Sequence, residues 1–242
     1  SVDNAQAGYK SGSPVFHGVS FDVPEQTISA LVGINGAGKT TVMKCLLGLH
    51  DLDKGNMSIA NNKSGTVGAR QKTAFLPERF SPPEFLDGRE FLKLTADLYH
   101  QPFRKDVVQG LSARAGLDFS ALSDRISTYS KGMRQKLGLM AVALTDAPYL
   151  VLDEPMSGLD PLARIAVKSL LELQKEAGKT IFISSHLLED VEEICDHMIV
   201  LDTGRLIYDG DPLDLRYSYG ADTLEQAFLS LLQEYAAEAA CE

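Results

Sequence analysis

Apolar and polar positions divide the chain into three stretches. Residues 1–30 read as short strands separated by turns. Val19, Phe21 and Val23 alternate with polar neighbours, and Gly8, Gly12, Ser13 and Pro14 punctuate the segment. Residues 27–32 form a short apolar run closed by a glycine, the pattern of a strand buried on both faces. A helix is predicted over 40–49. Residues 51–70 are polar and turn-rich, with one weak strand near 57–60, and a strand over 73–76 stops at Pro77. From 82 to 144 the period is helical: 89–99 places Phe91, Leu92, Leu94 and Leu98 on helical spacings, and 107–115 and 132–143 follow suit. The third stretch alternates strand 149–152, helix 162–177, strand 180–184, helix 187–194 and strand 198–201, and an amphipathic helix over 223–235 ends the chain. Strands separated by helices imply parallel pairing, hence an α/β fold with a parallel-containing sheet. The chain shows no internal repeat or low-complexity segment.

Two stretches carry chemistry. Gly33, Ile34, Asn35, Gly36, Ala37, Gly38, Lys39 and Thr40 match the phosphate-binding loop of P-loop NTPases, between an apolar strand and a helix. Glycines let backbone N–H groups turn inward around phosphate oxygens, and the helix N-terminus adds its partial positive charge. Lys39 would supply a point charge to the terminal phosphates and Thr40 a hydroxyl to Mg²⁺. Taken alone, the same residues are also a glycine-rich turn before a helix. Further on, Tyr149, Leu150, Val151 and Leu152 run into Asp153 and Glu154. A strand delivering two acids at its C-terminal end puts them where open α/β sheets bind ligands. Asp153 would hold Mg²⁺, and Glu154, on the opposite side of the strand end, would polarise the attacking water. Taken alone, this is a strand followed by a solvated acidic turn.

Bulk properties narrow the class. The 242 residues carry 23 basic and 33 acidic side chains, a net charge of −10, which argues against a general nucleic-acid binder. Cys45, Cys195 and Cys241 are odd in number and far apart, so reduced thiols are expected rather than a disulfide framework or zinc site. No apolar run reaches the length of a membrane span and no secretory signal pattern opens the sequence, so a cytoplasmic protein is expected.

The chain resembles the ATP-binding subunits of ABC transporters over nearly its whole length. Gly33 to Thr41 looks like the family's Walker A, and Tyr149 to Glu154 like its Walker B. Tyr129, Ser130, Lys131, Gly132, Met133, Arg134 and Gln135 look like the family signature. Ser157, Gly158, Leu159 and Asp160 look like the D-loop, and Ser184, Ser185 and His186 like the switch-histidine segment. The order of the motifs is more specific than any one of them. A plain P-loop kinase or GTPase leaves the signature, the D-loop and His186 unexplained.

The resemblance implies one ATP-binding domain over 1–242. Its parts would be a P-loop NTPase core (1–78 and 145–215) that includes an N-terminal antiparallel β subdomain, an inserted α-helical subdomain (79–144) and a C-terminal helix (216–242). It also implies ATP and Mg²⁺ as ligands, with Gly33, Asn35, Gly36, Ala37, Gly38, Lys39, Thr40 and Thr41 on the nucleotide. Thr40, Asp153 and Glu78 would lie at the metal, with Glu154, His186 and Lys39 in the catalytic set. Two copies, identical or paired with another ABC subunit, would pack head-to-tail. Ser130, Lys131, Gly132 and Met133 of one would then meet the γ-phosphate held by the other, and Asp160 would communicate across the pair. Tyr9 is the candidate to stack on adenine, with Phe16 as a rival. The implied partner is an integral membrane permease at the cytoplasmic face of the cell membrane. Its docking groove would be lined by Arg79, Phe80, Pro82, Pro83, Phe85 and Leu86. No nucleic acid is expected.

Three departures stand out. Tyr129, Lys131 and Met133 replace three positions of the usual Leu-Ser-Gly-Gly-Gln. Glu78 stands where glutamine is usual, and Glu25-Gln26 where a Gly-Glu turn is usual. The Leu-Pro-Glu and Tyr-Ser-Lys-Gly-Met-Arg-Gln forms look like the exporter-type branch with a separate membrane subunit. The alternative is a non-transport ABC ATPase acting on DNA or ribosomes. The DNA-repair kind needs a long coiled coil between Walker A and the signature, for which the stretch from Lys39 to Ser130 leaves no room. The ribosome-acting kind usually carries two such domains and a basic linker, and this chain is one acidic domain.

Overall fold

The structure is a computed structural model and describes residues 1–9 and 14–239; Gly12, Ser13 and Cys241 lie outside the described residues. The elements run β1 (Val2–Ala7), β2 (Phe16–Phe21), β3 (Ile28–Val32), α1 (Lys39–Leu46), β4 (Lys54–Ile59), β5 (Asn62–Lys63), α2 (Val67–Gln71), β6 (Thr73–Leu76), α3 (Gly88–Leu98), α4 (Lys105–Ala115), α5 (Lys131–Ala143), β7 (Tyr149–Leu152), α6 (Pro161–Glu176), β8 (Thr180–Ser185), α7 (Leu188–Ile194), β9 (His197–Asp202), β10 (Arg205–Gly210), α8 (Pro212–Ser218) and α9 (Leu224–Ala239). They fall into two compact units, Ser1–Arg70 with Phe182–Glu242, and Gln71–Ile181.

The first unit contains an antiparallel sheet in the order β2, β1, β4, β5. Val2 of β1 sits opposite Phe21 on one side and Met57 on the other, so the three apolar side chains share the buried face. Beside it, β10, β9, β3 and residues 182–185 of β8 lie in that order. β3 runs parallel to β9, from Ser29↔His197 to Val32↔Val200. All five β3 residues are buried, as expected of a mostly apolar strand covered on both faces. Ser29 is tolerated there because its hydroxyl bonds that of Thr27 at 3.0 Å.

The second unit is mainly helical and carries the parallel pair β6–β7, in register from Thr73↔Tyr149 to Leu76↔Leu152. α3 starts at a full capping box: the Asp87 carboxylate accepts from the Glu90 N–H (2.8 Å) while the Glu90 carboxylate accepts from the Asp87 N–H (2.9 Å).

The expected α/β class and the antiparallel N-terminal sheet are present, and most element boundaries fall within a few residues of the pattern. Four differences have physical reasons. The weak strand near 57–60 is β4, which starts earlier because β1 pairs with its polar first half. It stops at Ile59 because Ala60 and Asn61 turn with φ of +50° and +60°. β10 is an antiparallel edge strand with mostly half-buried residues, so it shows no apolar run. α8 is a short helix announced only by its Asp211 cap and Pro212. β5 and α2 lie in a segment that reads as turns. Among the described residues no helix is long and apolar enough to cross a membrane.

Asp87→Ala should lower the unfolding free energy by about 1 kcal/mol, since the substitution removes the acceptor for a first-turn N–H. A chemical denaturation midpoint unchanged from wild type would contradict that account of the helix start.

Candidate functional site

In the first unit the geometry around residues 33–41 is that of an anion cradle. β3 ends at Val32, and the chain passes so close to β9 that a Cβ on Gly33 would lie 2.3 Å from the Leu201 carbonyl oxygen. Gly36 and Gly38 take φ of +90° and +105°, a region that side chains resist. Ala37 N–H bonds the Ile34 carbonyl at 3.1 Å and tightens the turn, and α1 begins immediately after Gly38. That helix has no side-chain cap at its start and no acid in its own first turn, which suits its positive end to an anion. The Lys39 side chain is buried, and its ammonium donates to the carbonyls of Gly33 (2.6 Å) and Ile34 (3.4 Å), which places a positive charge inside the loop. Asn35 is exposed on the rim, Thr40 is half-buried, and Thr41 is buried.

Tyr9 and Phe16, the two aromatic candidates, are separated by burial. Phe16 is 0% exposed inside β2, whereas Tyr9 is 53% exposed with its hydroxyl 3.5 Å from the Thr41 hydroxyl. Only Tyr9 offers ring surface to a ligand. His186 is exposed just past the end of β8, where the Ser185 hydroxyl accepts from the Leu187 N–H at 3.0 Å.

In the second unit the register of β6 and β7 brings Glu78 and the two acids to the same end of the strand pair. The Asp153 N–H donates to the Leu76 carbonyl at 2.8 Å. Asp153 is buried, and Glu78, two residues past β6, is exposed. Glu154 is half-buried with φ of +50°. A non-glycine in the left-handed region, followed by proline, costs on the order of 1–3 kcal/mol and persists only where its surroundings hold it. One tie on this loop is Gln135: its buried side-chain amide on α5 donates to the Pro155 carbonyl at 3.0 Å. The sequence places Gln135 at the end of the signature-like stretch but gives it no task. Its further signal is a polar side chain on the buried stripe of a helix.

α5 also carries the signature-like residues. Ser130 caps it, its hydroxyl accepting from the Met133 N–H at 3.2 Å, and Ser130 and Lys131 are exposed. Gly132 faces Leu159, and the Lys131 ammonium lies against Gly158, where a Cβ would come within 2.7 Å of it. Tyr129, which replaces the usual leucine, is a buried anchor: its hydroxyl donates to the Ala121 carbonyl at 2.7 Å, in space left by Gly88. Burial, with Asp124 and Asp87 nearby, pushes the phenol up to about 12, so it remains a donor. Asp160 caps α6, accepting from the Ala163 N–H at 2.9 Å.

The apolar segment after Glu78 divides. Pro82 is buried, and the half-buried Phe80 packs edge-on against Phe91 (5.7 Å) and over Gly138, so both turn toward the protein rather than outward. Phe85, 74% exposed, is the large apolar side chain of that loop that faces outward. In the first unit, the Glu25-Gln26 turn takes a positive φ at Gln26 (+60°), the conformation a glycine adopts without cost.

The chain is similar to several known proteins. The family described as ABC transporter matches residues 16–157. An uncharacterized ABC transporter ATP-binding protein of Nostoc sp. is 38% identical over 80% of this chain, which spans only 58% of that relative. Two Bacillus subtilis proteins match over most of both lengths. The ABC-type transporter ATP-binding protein EcsA is 32% identical (97% and 96% covered), and the SkfA peptide export ATP-binding protein SkfE is 32% identical (86% and 87% covered). A solved structure of the ATP binding subunit of an ABC transporter superposes with a TM-score of 0.85 at 31% identity, covering 96% of this chain and 98% of that one.

Gln135→Met keeps the length and apolar stem of the side chain and removes the amide. The Pro155 carbonyl would lose its donor, so stability should fall by about 1–3 kcal/mol. A denaturation curve coincident with wild type would show that the bond does not hold the loop.

Proposed function

This chain belongs to the ABC transporter ATP-binding proteins, and we propose that it is the ATP-hydrolysing motor of an exporter whose membrane-spanning subunit is a separate chain. The observation that carries the reading is the pairing of chemistries: a phosphate cradle with a buried cation inside it, and a strand end that delivers two carboxylates. SkfE supports the exporter reading, since that relative is named for peptide export.

Each residue then has a task. The Gly33–Gly38 backbone and Lys39 hold the β- and γ-phosphates, and Tyr9 stacks on the adenine. Thr40 and Asp153, a hydroxyl and a carboxylate, are hard oxygen donors that would hold Mg²⁺, with Glu78 as a further candidate for the ion. The ion would neutralise charge on the phosphate oxygens. Glu154 takes a proton from the water that attacks the γ-phosphorus as the bond to the ADP oxygen breaks. His186 contacts the γ-phosphate. Ser130, Lys131, Gly132 and Met133 at the start of α5 form a second anion site, for the nucleotide of a partner copy packed head-to-tail, and Asp160 senses that partner. We assign residues 79–144 as the helical subdomain, with Phe85 in the surface that meets the membrane subunit at the cytoplasmic face.

Glu154→Gln should retain ATP binding and lose hydrolysis by roughly 10²–10⁴-fold, the usual contribution of a general base. It should also accumulate as an ATP-bound dimer on sizing with ATP and Mg²⁺. A mutant that hydrolyses ATP at the wild-type rate would overturn the assignment. A mutant that stays monomeric with bound ATP would overturn the head-to-tail pairing of the isolated chain.

A further inference from the structure

The turn that follows α1 carries a histidine with no task in the account above. The backbone N–H groups of Leu49 and His50 both reach back to the Lys44 carbonyl, at 2.8 and 3.3 Å, and close the helix. The turn depends on Gly48: its φ is +67°, and a Cβ there would lie 2.1 Å from the Gly65 Cα. His50 is therefore fixed with respect to the helix whose other end bears Lys39 and Thr40. With eight residues, that helix is about 12 Å long.

From this position the His50 ring reaches the segment that leaves β1. Its Nε2 lies 3.2 Å from the Gly8 carbonyl. A carbonyl only accepts, so Nε2 bears the hydrogen and donates. The ring centroid lies 5.0 Å from that of Tyr9, with the planes tilted by 43°, within the range of a favourable aromatic pair. Tyr9 is thus met at its hydroxyl by Thr41, in the first turn of α1, and at its ring by His50, just beyond the last. The same histidine also holds the backbone one residue before Tyr9. The remaining half of the tyrosine side chain is exposed.

We propose that His50 is a positioning residue for base recognition, holding the Tyr9 ring at a set place relative to the phosphate cradle so that a nucleobase stacks on it. The proposal rests on the reading of Tyr9 as the adenine-stacking residue. A ring already held in place loses less freedom when the ligand binds, and that saving appears as affinity. The benefit concerns the base alone and leaves the phosphates untouched.

Calorimetric titration with two probes separates these contributions: ATP, and inorganic tripolyphosphate, which has the phosphates without the base, each with Mg²⁺. His50→Ala should weaken ATP binding by about two- to tenfold, the contribution of one aromatic pair, and leave tripolyphosphate binding unchanged. In a Tyr9→Ala background the same substitution should add no further loss. His50→Gln, which keeps a donor for the Gly8 carbonyl but not the ring, should fall between. Wild-type ATP affinity in His50→Ala, with Tyr9→Ala still impaired, would overturn the proposal and spare the reading of Tyr9. Equal loss of both probes would overturn it in favour of general damage to the cradle. If Tyr9→Ala itself binds ATP normally, the stacking role of Tyr9 fails and the proposal falls with it.

Discussion

The chain must turn from a buried strand into a helix within the few residues that follow Val32, and the glycine loop of the first unit is built to that constraint. The requirement excludes a Cβ at Gly33, where the Leu201 carbonyl is in the way, and selects glycine at Gly36 and Gly38, where φ is positive. It also leaves α1 without a side-chain cap, a deficit that a bound phosphate would offset. The parallel register of β3 and β9 sets the Gly33 approach, and the buried Lys39 ammonium matches the helix end in sign.

The second unit solves a different problem, which is to hold a strained acidic loop. Glu154 sits in the left-handed region before a proline, and the loop is tied to α5 through Gln135 and Pro155. A Cβ on Gly132 would lie 3.8 Å from Leu159 and one on Gly158 2.7 Å from the Lys131 ammonium, so the start of the same helix lies beside the following turn. The proposed in-trans anion site and the loop of the proposed general base are therefore linked through α5. In the proposed dimer, this is a direct path by which a change at one nucleotide reaches the residue that acts on the other.

Local rules made much of this legible in the sequence. The glycine spacing, the apolar run before it and the Lys-Thr pair specify the cradle by chemistry that depends on near neighbours, and the same holds for a strand ending in two acids. What the sequence hid depends on residues distant along the chain or on conformation. Gln135 ends the signature-like stretch, yet its bond to the distant Pro155 is not visible there, and nothing in Glu154-Pro155 announces a positive φ. Tyr129 stands at a motif position, yet its task is to fill the space beside Gly88 and bond Ala121. β10 and α8 carry too little buried apolar surface to give a period. The choice between Tyr9 and Phe16 turned on burial, which spacing does not reveal.

The account's central claim is that Lys39 and the glycine loop before it bind the phosphates of ATP. Titrating ATP with Mg²⁺ into the wild-type chain and into Lys39→Ala tests this most directly. The account predicts saturable binding to the wild type and none detectable to the variant, with tripolyphosphate behaving the same way. Equal affinity of the two proteins for ATP would contradict it.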